Sequence, residues 1–112
     1  MAYSYDKVHE LAKSLKESEE YLEYKQIKEE LKKDPELKER VDQFARLRYE
    51  NQVLTLQGRS QNEENLKRLQ ELYASLVKNQ MVKEYFEKEM RFNLVVADVN
   101  KIIGEAIKDV LM

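Results

Sequence analysis

The sequence predicts an all-α fold: an elongated antiparallel bundle of about five helices, ending in a long C-terminal helix. Three observations carry this. Apolar residues recur at spacings of three and four from one end to the other. No run alternates strictly between apolar and polar, as a half-buried strand would. Only two Gly and one Pro interrupt 112 residues, so turns are few.

The first helix starts near Ser4, an N-cap type, with Asp6 in its first turn and Val8, Leu11, Ala12 and Leu15 on one face. Ser18 followed by Glu19 and Glu20 reads as a fresh cap with acids placed where the helix dipole favours them. The second helix presents Tyr24, Ile27 and Leu31, with Tyr21 at the margin; the chain either bends at Ser18 or runs straight through it. Asp34-Pro35 is the clearest punctuation, because Pro presets φ for a first helical turn and Asp accepts from its orphan N–H groups. The third helix carries Leu37, Val41, Phe44 and Ala45, runs to about Gln57, and stops at Gly58. Ser60-Gln61-Asn62-Glu63 is a capping-box pattern opening a fourth helix with Leu66, Leu69, Tyr73, Leu76 and Val77 as its stripe. Asn79 caps the last helix, which extends to around Ile107 or beyond; Gly104 inside it costs up to ~1 kcal/mol relative to Ala.

Acid-before-base pairs four residues apart, such as Glu29 and Lys33, Glu36 and Arg40, or Glu63 and Lys67, mark solvated helical faces. Each adds only ~0.2–0.5 kcal/mol. No linker or repeat divides the chain, so residues 1–112 are read as one helical domain.

The last helix is the most informative. At about 100° per residue, Tyr85, Phe92, Val95, Val96, Val99, Ile102, Ile103, Ala106, Ile107 and Val110 gather on one broad arc, the side expected to face the bundle. Phe86, Met90, Leu94 and Ala97 fall on a different arc. A helix with two apolar faces needs two partners: one is its own bundle, the other either a further helix of this chain or a second chain, with a homodimer seam favoured for Phe86, Met90, Leu94 and Ala97. Roughly 28 residues of helix reach about 42 Å, against a radius of gyration near 13 Å for a compact domain of this length, hence the elongated shape and the expected homodimer.

Composition excludes several chemistries. The chain has no Cys, so disulfides, thiolate metal sites and cysteine nucleophiles are absent. Its one histidine, His9, has no companion ligands for a metal site and no visible orienting partner for catalysis, so no catalytic, metal or cofactor residue is assigned. No glycine-rich phosphate loop is present. No segment matches a membrane span, and the N-terminal residues do not form a leader pattern. A formal net charge of -2 argues against direct nucleic-acid binding. Tyr3, Tyr5, Tyr21 and Tyr24 sit near lysines, but Glu19, Glu20 and Glu23 among them would repel phosphates, and helix packing explains the aromatics more simply. Along the third helix the apolar stripe turns polar at Arg48, Asn51 and Gln52. Arg46, Arg48 and Tyr49 form a candidate polar recognition surface; the simpler account is that the helix leaves the core there or that the Arg stems lie over it.

The order of these signals is itself a pattern. Tyr5-Asp6, Glu10-Leu11, Leu15 and Ser18-Glu19-Glu20-Tyr21 open the chain. Asp34, Val41-Asp42-Gln43-Phe44, the Gly58 turn, Asn79 and Asp98-Val99-Asn100-Lys101-Ile102-Ile103 follow. This closely resembles the YlbF/YmcA-like family of small bacterial helical proteins, in its short, tail-less YheA-like branch, over essentially the full length. Gln80 stands where a Pro is expected after the capping Asn, and the absence of a Cys-rich tail sets aside the cluster binding of longer YlbF-type members. The resemblance implies a dimeric, cytoplasmic, non-enzymatic regulatory adaptor working through protein partners. It further implies developmental control or modulation of an mRNA-processing ribonuclease. An RNA-binding accessory protein is the alternative, separable by the steep salt dependence of phosphate contacts.

Overall fold

A computed structural model describes residues 2–58 and 63–111. Among the described residues there are five helices and no strand: α1 (Asp6–Glu17), α2 (Glu19–Leu31), α3 (Pro35–Leu56), α4 (Glu63–Leu76) and the long α5 (Gln80–Leu111). The expected all-α architecture with a long C-terminal helix is the observed one. The chain resolves into two compact units, one of residues 1–27 and 85–112, the other of residues 28–84.

Caps set most of the boundaries. Ser18 breaks the run between α1 and α2: its backbone is extended (ψ 149), its hydroxyl donates to the Leu15 carbonyl at 2.6 Å, and it accepts the Tyr21 N–H at 3.2 Å. The chain therefore bends there. Asp34 accepts the Leu37 N–H at 3.2 Å, with Pro35 following at the first helical position. Gly58 holds φ +72, a left-handed conformation that other residues adopt only under strain. Asn79 accepts from the N–H groups of both Met81 and Val82, at 2.9 and 3.2 Å. One expected cap is placed differently: α1 starts at Asp6 with Tyr5 in the cap position, and Ser4 only approaches the Asp6 N–H at 3.5 Å. The Ser60–Asn62 part of the capping box lies outside the described residues. Gly104 does not end α5, which continues to Leu111.

In the unit of residues 28–84, α3 and α4 pair antiparallel. Arg40 donates to the Ser75 hydroxyl at 2.7 Å, and the rings of Phe44 and Tyr73 lie 5.7 Å apart. The core of this unit is Leu31, Leu37, Val41, Phe44, Leu76 and Val82. Asn51 is buried with them, only 5% exposed. Thus α3 does not leave the core where its stripe turns polar; it takes a carboxamide into the core.

In the unit of residues 1–27 and 85–112, α2 pairs antiparallel with the first half of α5 through aromatic rings. Tyr24 meets Tyr85 and Phe92 at 5.7 and 6.0 Å, and Tyr21 meets Phe92 at 5.7 Å. A polar cluster flanks them. Lys88 donates to Glu23 at 2.9 Å, Arg91 stands 3.9 Å from the same carboxylate, and the Tyr24 hydroxyl donates to Glu89 at 3.3 Å. The Lys88 hydrogen bond holds the Glu23 carboxyl below its ordinary value of 4.5, against the opposing effect of partial burial. Burial, with Tyr85 and Glu89 beside it, pushes the Tyr24 phenol far above its ordinary range, so it stays a neutral donor.

The broad arc of α5 is covered only in part. Tyr85 is buried and Phe92, Val95, Val96 and Val99 are half-buried, but Ile102, Ile103, Ile107 and Val110 are exposed, Ile102 at 68% and Val110 at 78%. The expectation that this whole arc faces the bundle is corrected: beyond Val99 the chain supplies too little surface to cover it. No residue of α1 is buried either, although its apolar residues are on one face.

Removing the Asp34 cap by Asp34→Ala should cost ~1 kcal/mol in urea unfolding without loss of helical signal in the native state. Glu23 has a depressed carboxyl, so its contribution to stability is present above pH 4.5 and is lost as pH falls through the lowered value. Thermal unfolding should therefore weaken more steeply below pH 4.5 for the wild type than for Glu23→Gln, the two curves converging in acid.

Candidate interaction surfaces

Two surfaces carry the residues that the sequence singles out, one on each unit. On α5, Phe86 is half-buried with its ring 5.6 Å from that of Tyr85. Met90 and Leu94 are 59% and 57% exposed, and Ala97 is exposed. The structure thus puts the four residues along one line of the helix. Its first member is anchored against an intramolecular aromatic, and the other three are open to water.

The second surface is a groove of about 500 Å³ between α3 and α4, lined by Arg48, Asn51, Gln52, Thr55 and Leu56 with Leu66 and Leu69. Arg48 lies over the Phe44 ring, its guanidinium carbon 5.5 Å from the centroid, a cation–π contact. Arg46 does not join it. That side chain pairs with Glu39 at 3.1 Å on the exposed side of α3, and Tyr49 is 67% exposed. The three candidates therefore divide: Arg48 belongs to the groove with Asn51 and Gln52, while Arg46 and Tyr49 stand outside it.

Asn51 is the unusual member. Among the described residues, neither its amide nitrogen nor its amide oxygen has a hydrogen-bond partner. A buried carboxamide left unpaired loses its hydration and gains nothing in return, a cost of ~1–3 kcal/mol. Sequence reasoning reached Asn51 as a break in a stripe but missed Leu56, Leu66 and Leu69 as its neighbours, since which face of α4 meets α3 depends on the turn between them.

The chemistry available on these surfaces is that of packing and recognition. Among the described residues no three His, Cys, Asp or Glu side chains converge to hold a metal ion, and no helix is long and apolar enough to cross a membrane. His9, the single histidine, is exposed on α1. Replacing Asn51 by Leu should raise stability by about 1 kcal/mol or more, read as a higher midpoint in urea unfolding. A fall in stability would instead show that the amide is satisfied in solution, for instance by a buried water.

Comparison with known proteins agrees with the helical pattern. The family model described as "Control of competence regulator ComK, YlbF/YmcA" matches residues 4–108. A UPF0342 protein of Caldicellulosiruptor saccharolyticus is 38% identical over 103 residues, covering 92% of this chain and 86% of the relative. A UPF0342 protein of Symbiobacterium thermophilum is 35% identical over 103 residues, 92% of each chain. A third, from Alkalihalophilus pseudofirmus, is 32% identical over 110 residues, 98% of this chain and 93% of the relative. With a match that spans nearly the whole chain, the protein belongs to the YlbF/YmcA family.

Proposed function

We propose that this protein is a non-enzymatic regulatory adaptor of the bacterial cytoplasm that works as a homodimer and binds other proteins. The observation that carries the reading is the uncovered apolar line of α5, in which Met90 and Leu94 are both more than half exposed. Apolar side chains aligned on one face of a rigid helix have no catalytic use, and they are what a helix–helix interface is made of. The family's description, control of a competence regulator, supports a regulatory role. The resemblance of the sequence points in the same direction, to developmental decisions and to modulation of an mRNA-processing ribonuclease.

In this reading Phe86, Met90, Leu94 and Ala97 form the dimer seam. Arg48, with Asn51 and Gln52 in the α3–α4 groove, and Arg46 with Tyr49 beside it, offer the polar features by which a protein partner is selected. Burying a Met or Leu side chain is worth ~1.5–3 kcal/mol, so a charge within the seam opposes association directly. Leu94→Glu should shift the protein toward monomer in sedimentation equilibrium while its circular dichroism keeps the helical signal. Val99→Glu, on the half-buried arc, should lower the unfolding midpoint instead. An unchanged association state for Leu94→Glu would remove the seam from this face.

A further inference from the structure

The groove between α3 and α4 holds a polar group that the chain itself leaves unanswered. Asn51 is 5% exposed and belongs to the groove's lining, so the groove is the side from which another molecule reaches it. Among the described residues neither atom of its amide has a hydrogen-bond partner. Its neighbours in the lining are engaged elsewhere. The Thr55 hydroxyl donates to the main-chain carbonyl of Asn51 at 3.0 Å, and the Arg48 guanidinium lies over the Phe44 ring. An unpaired buried carboxamide costs stability, and its place in a cleft of about 500 Å³, within the ~300–1,000 Å³ of ligand sites, gives it a use in recognition.

The carboxamide selects what can answer it, because it presents an acceptor and a donor side by side. A helical backbone does not match, since its N–H and C=O groups are already bonded to each other along the axis. A residue of extended chain does: its N–H and C=O point to the same edge, as where two strands exchange both bonds. The walls suit the same occupant. Apolar residues stand on both helices, Leu56 on α3 and Leu66 and Leu69 on α4, and an extended chain sends successive side chains to opposite sides.

Resting on the reading that this groove selects a protein partner, we propose that it binds an extended apolar peptide segment of that partner, one residue of which pairs its N–H and C=O with the Asn51 carboxamide. The N–H of the segment donates to Asn51 Oδ1, and Asn51 Nδ2 donates to its C=O. Main-chain pairing then supplies the anchor, and the leucines on either side supply the preference for apolar side chains. The Asn51 amide is closed over in the unliganded chain, so binding includes a side-chain rotation at the rim, where Gln52 and Thr55 are exposed.

The test is an NMR titration of the full chain with a blocked peptide, acetyl-Lys-Leu-Ala-Leu-Lys N-methylamide, read at the Asn51 side-chain amide resonances, which are assigned by their absence from Asn51→Leu. The peptide should shift those resonances saturably. Methylating the nitrogens of its three central residues, which removes the donors, should weaken binding to the wild type at least about tenfold. The same methylation should change binding to Asn51→Leu less than about twofold, and the urea midpoint of that variant shows that it is folded. Equal binding of the methylated and unmethylated peptides to the wild type would overturn the proposal. Acetamide shifting the Asn51 resonances where the peptide does not would also overturn it, in favour of a side-chain carboxamide of the partner, and would leave the groove's role in partner selection standing. Resonances that respond to neither probe up to millimolar concentration would overturn both the extended segment and that role, while the α5 seam stands or falls separately with Leu94→Glu.

Discussion

The structure depends on an imbalance in α5: this helix carries more apolar surface than the chain can cover. Its first half meets the aromatic face of α2, where Tyr21, Tyr24, Tyr85 and Phe92 interlock. Its second half continues the same apolar pattern past the point where α2 has ended its pairing. Water is a poor neighbour for Ile102, Ile103, Ile107 and Val110 at their observed exposure, and hydrophobic burial is the dominant favourable contribution both to folding and to most protein association. The fold of the single chain therefore leaves apolar surface open on this helix, and the proposed association uses part of it, the line through Met90 and Leu94.

The α3–α4 pair is constrained differently. Its apolar residues close a small core, yet Asn51 sits inside that core with neither amide atom paired among the described residues. A buried polar group without partners destabilises, and such groups are known to fix register or partner choice where an apolar residue would only add stability. The polar change along α3 places that carboxamide in the lining of the groove, beside the Arg48 guanidinium stacked on Phe44.

Much of this was legible in the sequence, for reasons that can be traced residue by residue. Asp34-Pro35, Ser18, Gly58 and Asn79 each mark a boundary through a local interaction, a side chain accepting an N–H or a backbone entering a left-handed turn, and local interactions are visible in a short window. The core positions Leu37, Val41 and Phe44 were legible through period alone. What the period could not show is how far a partner helix extends. It gave α5 one arc from Tyr85 to Val110, and only the tertiary arrangement shows coverage fading after Val99. Likewise the stripe revealed that α3 turns polar, but not that Asn51 stays buried among leucines of α4.

The central claim, that the exposed face of α5 is completed by a second chain, is tested most directly by the unfolding temperature as a function of protein concentration. A protein whose stability includes an interface between copies gains stability by mass action, so its midpoint must rise with concentration. The account predicts a steady rise over about a hundredfold range of dilution, measured by circular dichroism at fixed pH and salt. A midpoint that does not change over that range would contradict it, because a self-contained monomer unfolds at the same temperature however dilute it is.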